Sequence, residues 1–295
     1  MSFDQLFQIT YNISLAAVLW ATSLRMGLVL SPKELGDSFL RGRMMFKALF
    51  VNLVIIPLGV WFLTRNLGIE PGVAIGILLV ASAAGGPYGL AASQLAQGDM
   101  AYAVALVTVL QLTRLVTIPF WLGIFLPFGP AEIFQIIAAL VLYILLPLAL
   151  GLVLRQFLKA QRGKWARRAM RATVLFLAIL VVSGILLYRE ALAALVLSWT
   201  MLLILGIQLI SLGLGYLFGG PKTASRRTVA VTAIVRSSAA ALLIANEMYR
   251  ALPFVTATVV TYGLAAIIVS TIAALVMARA GQAQSEAQSI NGKVE

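Results

Sequence analysis

No cysteine and no histidine occurs anywhere in the 295 residues. Zinc and iron–sulfur centres, histidine-ligated haem, thiol nucleophiles and serine–histidine triads are removed together by that absence. Acidic residues are scarce as well: ten Asp and Glu stand against 22 Lys and Arg, and charged residues make up only 11% of the chain. No carboxylate lies deep inside an apolar run and no glycine–lysine phosphate loop is present, so an enzyme is the weakest functional class.

What is abundant is hydrocarbon. Hydrophobic residues are 61% of the sequence and the mean hydropathy is +1.00, far outside the range of a water-soluble domain. Nine apolar runs cover residues 6–30, 44–63, 73–94, 101–126, 133–154, 172–188, 192–218, 228–246 and 257–277. Each is close to the roughly 20 residues that carry a helix across a ~30 Å hydrocarbon layer. The reading is an all-α integral membrane protein of nine transmembrane helices. The first run has no basic residues before it and is long for a signal sequence, so it reads as a retained helix.

The net charge of +12 suggests nucleic acid less than it suggests topology. With the N-terminus outside, the cytoplasmic side receives Ser31 to Arg43, Gln94 to Asp99, Arg155 to Arg171, Gly219 to Arg227 and the polar tail, residues 279–295. Those regions, with Arg25 and Lys47 beside them, hold 17 of the 22 Lys and Arg, whereas only Arg65, Arg189 and Arg250 fall on the other side. That asymmetry predicts N-out and C-in, in the plasma (inner) membrane. The basic loop after Arg155 then reads as an inner-leaflet anchor, and the tail as small, polar and disordered. "GVAIG" (Gly72 to Gly76) and "GYLFG" (Gly215 to Gly219) are small-xxx-small patterns that permit close helix packing.

Two of the runs contain breaks. Gly85-Gly86-Pro87 is hard to build through as continuous helix, and a second half-helix is expected to start near Pro87. Arg236-Ser237-Ser238 interrupts a second run more softly, with either serine able to cap the half-helix that follows. One interrupted span in each half of a membrane chain points to an inverted-repeat transporter with its site near the bilayer midplane; a kinked but continuous pair of helices is the alternative. Arg236 sits within its run, where a cation costs at least ~2.5–3.5 kcal/mol unless it faces a cavity or partner. Arg114 lies midway along another run, beside Gln111, Thr113 and Thr117, which leaves a structural polar seam as its alternative. Two buried cations without buried carboxylates invite an anion.

The sequence also resembles the bile acid/sodium symporter family over nearly its whole length. The resemblance is carried by "MGLVLSPKEL" (Met26 to Leu35), "NLVIIP" (Asn52 to Pro57), "GGPYG" followed by "GDMAYAVAL" (Gly98 to Leu106), "LPLALGL" (Leu146 to Leu152), "GYLFG" and "RTVAVTAIVRSSAAAL", in family order and at family-like spacing. It implies a single transporter unit over residues 1–278. A core with two broken, crossing helices would come from 44–126 and 192–277, and a panel rocking against it from 6–30 and 133–188. It also implies an organic anion as substrate, usually driven by sodium.

The departures concern the ion. Where the family typically reads Gly-Gly-Thr-x-Ser-Asn, this chain has Gly85, Gly86, Pro87, Tyr88, Gly89 and Leu90. Hydroxyl positions on the next helix appear as Ala103 and Val107. The second motif, typically Glu-Val-x-x-Gln-Asn-Ser, reads Thr232 through Arg236 to Ser238, and Asn52 stands where a glutamine is usual. A hard cation wants several oxygens including a carboxylate, and these positions do not supply them. The expectation is therefore an organic-anion carrier that does not use sodium at the family's usual sites. Arg236 and Arg114 would take the place of the ions by donating to carbonyls where the first half-helices end, and Asn52, Gln111, Thr232, Ser237, Ser238 and Gly85 to Gly89 would complete the site. No cofactor, metal, nucleic acid or protein partner is expected beyond the anion and the bilayer. A channel-like anion pathway, a sodium-coupled symporter with a rebuilt ion site, and a ligand sensor that transports nothing remain as alternatives.

Overall fold

A computed structural model describes the backbone of residues 3–30, 42–158 and 161–291, and side chains within 5–30, 42–158 and 161–282. Most of the connection from Ser31 to Arg43, Lys159 of the basic loop and the end of the tail therefore lie outside the described residues. The described chain is helical, without a strand. In order the helices are α1 (Phe3–Val29), α2 (Gly42–Phe50), α3 (Ile56–Asn66), α4 (Pro71–Ser82), α5 (Tyr88–Leu95), α6 (Met100–Phe125), α7 (Pro130–Leu140), α8 (Leu146–Phe157), α9 (Arg162–Leu187), α10 (Arg189–Val196), α11 (Trp199–Phe218), α12 (Thr223–Ile234), α13 (Ser238–Met248) and α14 (Pro253–Asn291). Single π-helical turns, Val51–Ile55 and Val141–Leu145, join α2 to α3 and α7 to α8.

Among the described residues, eight segments are long and apolar enough to cross a membrane. The difference from the nine expected runs is run 73–94. Its break leaves helices of 12 and 8 residues, each too short to span alone. Two other boundaries also differ from expectation. Run 192–218 divides at Leu197 and Ser198, because the Ser198 hydroxyl caps α11 by accepting from Thr200 N at 3.3 Å. At the C-terminus α14 continues as helix to Asn291, so the segment expected to be disordered is helical as far as the backbone is described.

Local chemistry fixes where the site-bearing helices begin. Glu70 caps α4, its carboxylate accepting from Gly72 N at 3.0 Å and Val73 N at 2.9 Å, and Pro71 occupies the first turn. Asp99 caps α6 by accepting from Tyr102 N at 3.1 Å. Both π-turns end two residues before a proline, Pro57 and Pro147. A proline cannot donate to the carbonyls one turn back, and the slack is taken up as a wider turn.

α1 lies along α9 and α8, while α4 packs on α14, α11 on α12, and α5 against α6, α12 and α14. α12 with α13 is the most enclosed of these spans. Both small-residue patterns act at close approaches: a Cβ on Gly76 would stand 2.7 Å from Thr258 Cβ on α14, and one on Gly215 would stand 2.7 Å from Ala230 Cα on α12. Gly76→Val should therefore lower the melting temperature of the detergent-solubilised protein, by overpacking worth about 1–3 kcal/mol. Gly59→Ala, where nothing lies within 4 Å of the added carbon, should not.

Candidate functional site

The two breaks meet. Helical bonding lapses between Ala83 and Gly86 in the first and between Val235 and Ser237 in the second. Gly86 N donates to Val235 O at 3.1 Å, and Ser237 N donates to Ala83 O at 2.8 Å. Each unwound strand thus satisfies the other's exposed backbone groups, which burial would otherwise leave orphaned. Gly85 has φ +83°, and a Cβ there would also stand 2.7 Å from Leu110 Cβ. Glycine is needed at that position on both counts. Gly86 has no room for a Cβ against the backbone of Arg236.

Arg236 emerges from the second break and is 4% exposed; Arg114, on α6, is 3% exposed. Arg236 Nη1 donates to Asn52 O at 2.9 Å, and Arg114 Nη1 donates to Ser237 Oγ at 2.8 Å. These partners differ from the expected ones, the carbonyls at the ends of the first half-helices; Ala83 O and Val235 O accept instead from backbone N–H groups of the opposite break. Asn52 O is available for a sequence reason. In the π register of Val51–Ile55 it faces position 57, where proline has no N–H. The neighbouring Leu53 O, one α-helical turn before Pro57, accepts from Trp121 Nε1 at 2.7 Å.

Several guanidinium nitrogens are unspent. Arg236 Nε and Nη2 and Arg114 Nε are buried without a hydrogen-bond partner. Both side chains border a cavity of about 140 Å³ between α1 and α9 on one side and the breaks, α13 and α14 on the other. Pro87, Tyr88, Ser237 and Ser238 also line it, together with apolar side chains such as Val18, Leu180, Leu242 and Leu264, and no carboxylate is among the lining residues. That space has room for several waters or a carboxylate head group. The start of α13 faces it with no side-chain cap, and the Ser237 hydroxyl accepts from Arg114 instead.

Not every residue singled out in the sequence reaches this cavity. Gly85 and Gly86 form the first break, and Gly89 packs on Thr232, 3.2 Å from its Cγ2 to an added Cβ. The Thr232 hydroxyl donates within its own helix, to Thr228 O at 2.8 Å. Asn52 contributes its carbonyl rather than its amide, whose Nδ2 donates to Ala48 O at 2.9 Å. Gln111 borders a neighbouring cavity. Sequence reasoning overlooked the wall supplied by α1 and α9, where Thr22 and Thr173 approach at 3.5 Å. Two hydroxyls at facing positions of otherwise apolar runs were the available signal.

With this geometry in view, the comparisons are specific. The chain is 26% identical over 198 residues to the "Uncharacterized sodium-dependent transporter YocS" of Bacillus subtilis (strain 168), a match covering 66% of this chain and 59% of that protein. It therefore spans about three fifths of that relative. The family described as Sodium Bile acid symporter family matches residues 16–195, which include the first break and Arg114 but stop short of Arg236. Since that match covers more than half of its length, the chain belongs to the sodium bile acid symporter family.

Proposed function

We propose that this protein is a secondary transporter that carries an organic anion by alternating access, with Arg236 and Arg114 as fixed cations in the place of a co-transported ion. Counting α4 with α5 as a ninth span, residues 42–125 and 199–282 each supply three spans, and the two sets enter the bilayer from opposite faces, as in an inverted repeat. α1, α7–α8 and α9 form the panel that rocks against this core. The N-terminus is outside and the C-terminus cytoplasmic, in the cell membrane. The observation that carries the reading is the pair of buried guanidiniums with unpartnered N–H groups on a cavity without carboxylates. A central arginine left in that condition is costly, and an anion relieves the cost.

Sodium as cargo fits this set of residues poorly. Among the described residues no three Asp or Glu side chains come together, and a guanidinium occupies the second break. The competing reading, a sodium-coupled symporter with a rebuilt ion site, is favoured by one observation, the "sodium-dependent" in the relative's name.

Three outcomes are expected, using an anion selected by thermal-shift screening of the purified protein. Arg236→Gln should weaken its binding at least about tenfold, since hydrogen bonds to charged groups are lost. The ligand-free melting temperature should stay level or rise, because an unpaired buried charge is removed; a lower melting temperature with intact binding would reduce Arg236 to a structural residue. Arg114→Ala should give a smaller binding defect, as Arg114 has one buried unpartnered nitrogen, Nε, against the Nε and Nη2 of Arg236; wild-type transport in that variant would remove it from the site. In proteoliposomes, counterflow of the anion should proceed equally in sodium and choline buffers. A strict sodium requirement would favour the symporter, and flux without counterflow a channel.

A further inference from the structure

A second cavity, of about 160 Å³, adjoins the central one, and the two share Thr22 of α1 and Pro87 of the first break as lining residues. Arg25, Thr108 and Gln111 supply its other polar lining. By charge topology Arg25 counts among the cytoplasmic-side cations. Its side chain instead borders the seam between α1 and α6, half-buried, three residues along the helix from Thr22. Gln111 is 7% exposed, and among the described residues neither Gln111 nor Arg25 has a hydrogen-bond or ion-pair partner. An amide on a largely buried residue and a half-buried cation, both bordering one cavity and without a protein partner among the described residues, make a polar site suited to an anionic ligand.

The spacing connects the two cavities. Thr108, Gln111 and Arg114 recur every three residues on α6, so they lie along one face of that helix. Thr22 and Arg25 do the same on α1. A carboxylate leaving the central guanidiniums past Thr22 and Pro87 meets first the Gln111 amide and then Arg25, with no acidic residue in either lining.

We propose that the cavity of Arg25 and Gln111 is a second anion subsite, which receives a carboxylate or sulfonate on its way between the central cavity and the cytoplasmic end. The proposal rests on the central cavity taking an anion, but it is tested separately. The absence of cysteine from the chain makes single-cysteine chemistry clean. In purified full-length Thr108→Cys protein, the modification rate by the anionic sulfonatoethyl methanethiosulfonate is compared with that by its trimethylammonium analogue, each normalised to free cysteine. A cavity lined by one sign of charge should favour the anionic reagent by about tenfold, with a rate that saturates as reagent concentration rises. Adding Arg25→Gln should abolish both the preference and the saturation, whereas adding Arg236→Gln should leave most of the preference. Equal normalised rates, a linear concentration dependence, or a preference that survives Arg25→Gln would overturn the subsite. A preference lost only with Arg236→Gln would also overturn it, while leaving the central site standing. Thr22→Cys, at the shared constriction, gives the same readout should Thr108→Cys fail to fold.

Discussion

Two hydrogen bonds between unwound strands, Gly86 N to Val235 O and Ser237 N to Ala83 O, hold the rest of the site in place. Inside hydrocarbon a broken helix is tolerable only where its freed backbone groups find partners. Here each break is the other's partner, so neither can exist alone. The constraint explains two glycines in succession: Gly85 must take a positive φ against α6, and Gly86 must let the second break approach to backbone contact. It also fixes the registers of α4–α5 and α12–α13 against each other, and so determines where Arg236 and Ser237 emerge.

A second device, more local, holds Arg236 in its position. Pro57 withdraws an N–H from the turn that begins at Val51, the turn widens, and two carbonyls are left to side chains from elsewhere in the fold. One goes to Arg236 and the other to Trp121. The guanidinium is thereby held by one N–H on a backbone carbonyl of another helix, while its Nε and Nη2 remain unspent. An arginine anchored through one nitrogen is oriented without being neutralised. A carboxylate partner would have cancelled the charge, whereas a carbonyl dipole leaves most of it to act on the cavity.

Most of the architecture was legible in the sequence because hydropathy and helix breakers act locally. The apolar runs, both interruptions and the two close-packing glycine patterns needed only neighbouring residues to be read. What was not legible depended on distant residues meeting. Serine capping of α13 was a sound local expectation, yet Ser237 spends its hydroxyl on Arg114, 123 positions away. Asn52 was singled out for its amide, and it is the Asn52 carbonyl that matters. The clue was Pro57, five residues on, which meant little until the π-turn was seen. The wall from α1 and α9 was missed because Thr22 and Thr173 look incidental within apolar runs until the seam brings them to 3.5 Å. Arg25 was assigned to topology for the same reason, its snorkelling length concealing which way it faces.

Replacing a mobile ion by a fixed guanidinium changes what a carrier of the proposed kind can do. A co-transported cation leaves with its cargo, so the empty carrier returns without it and net uptake can follow the ion gradient. Arg236 and Arg114 cannot leave. In the empty protein their unpartnered N–H groups need water, and the closed intermediate of a rocking cycle is the state that admits least of it. Reorientation without an anion therefore passes through two desolvated, uncompensated charges, while reorientation with an anion does not. In a carrier of the proposed kind, that difference in barrier would favour one-for-one exchange of anions over net flux. It acts through desolvation rather than through any gate, and so it is a property of the cavity's charge balance more than of the moving helices.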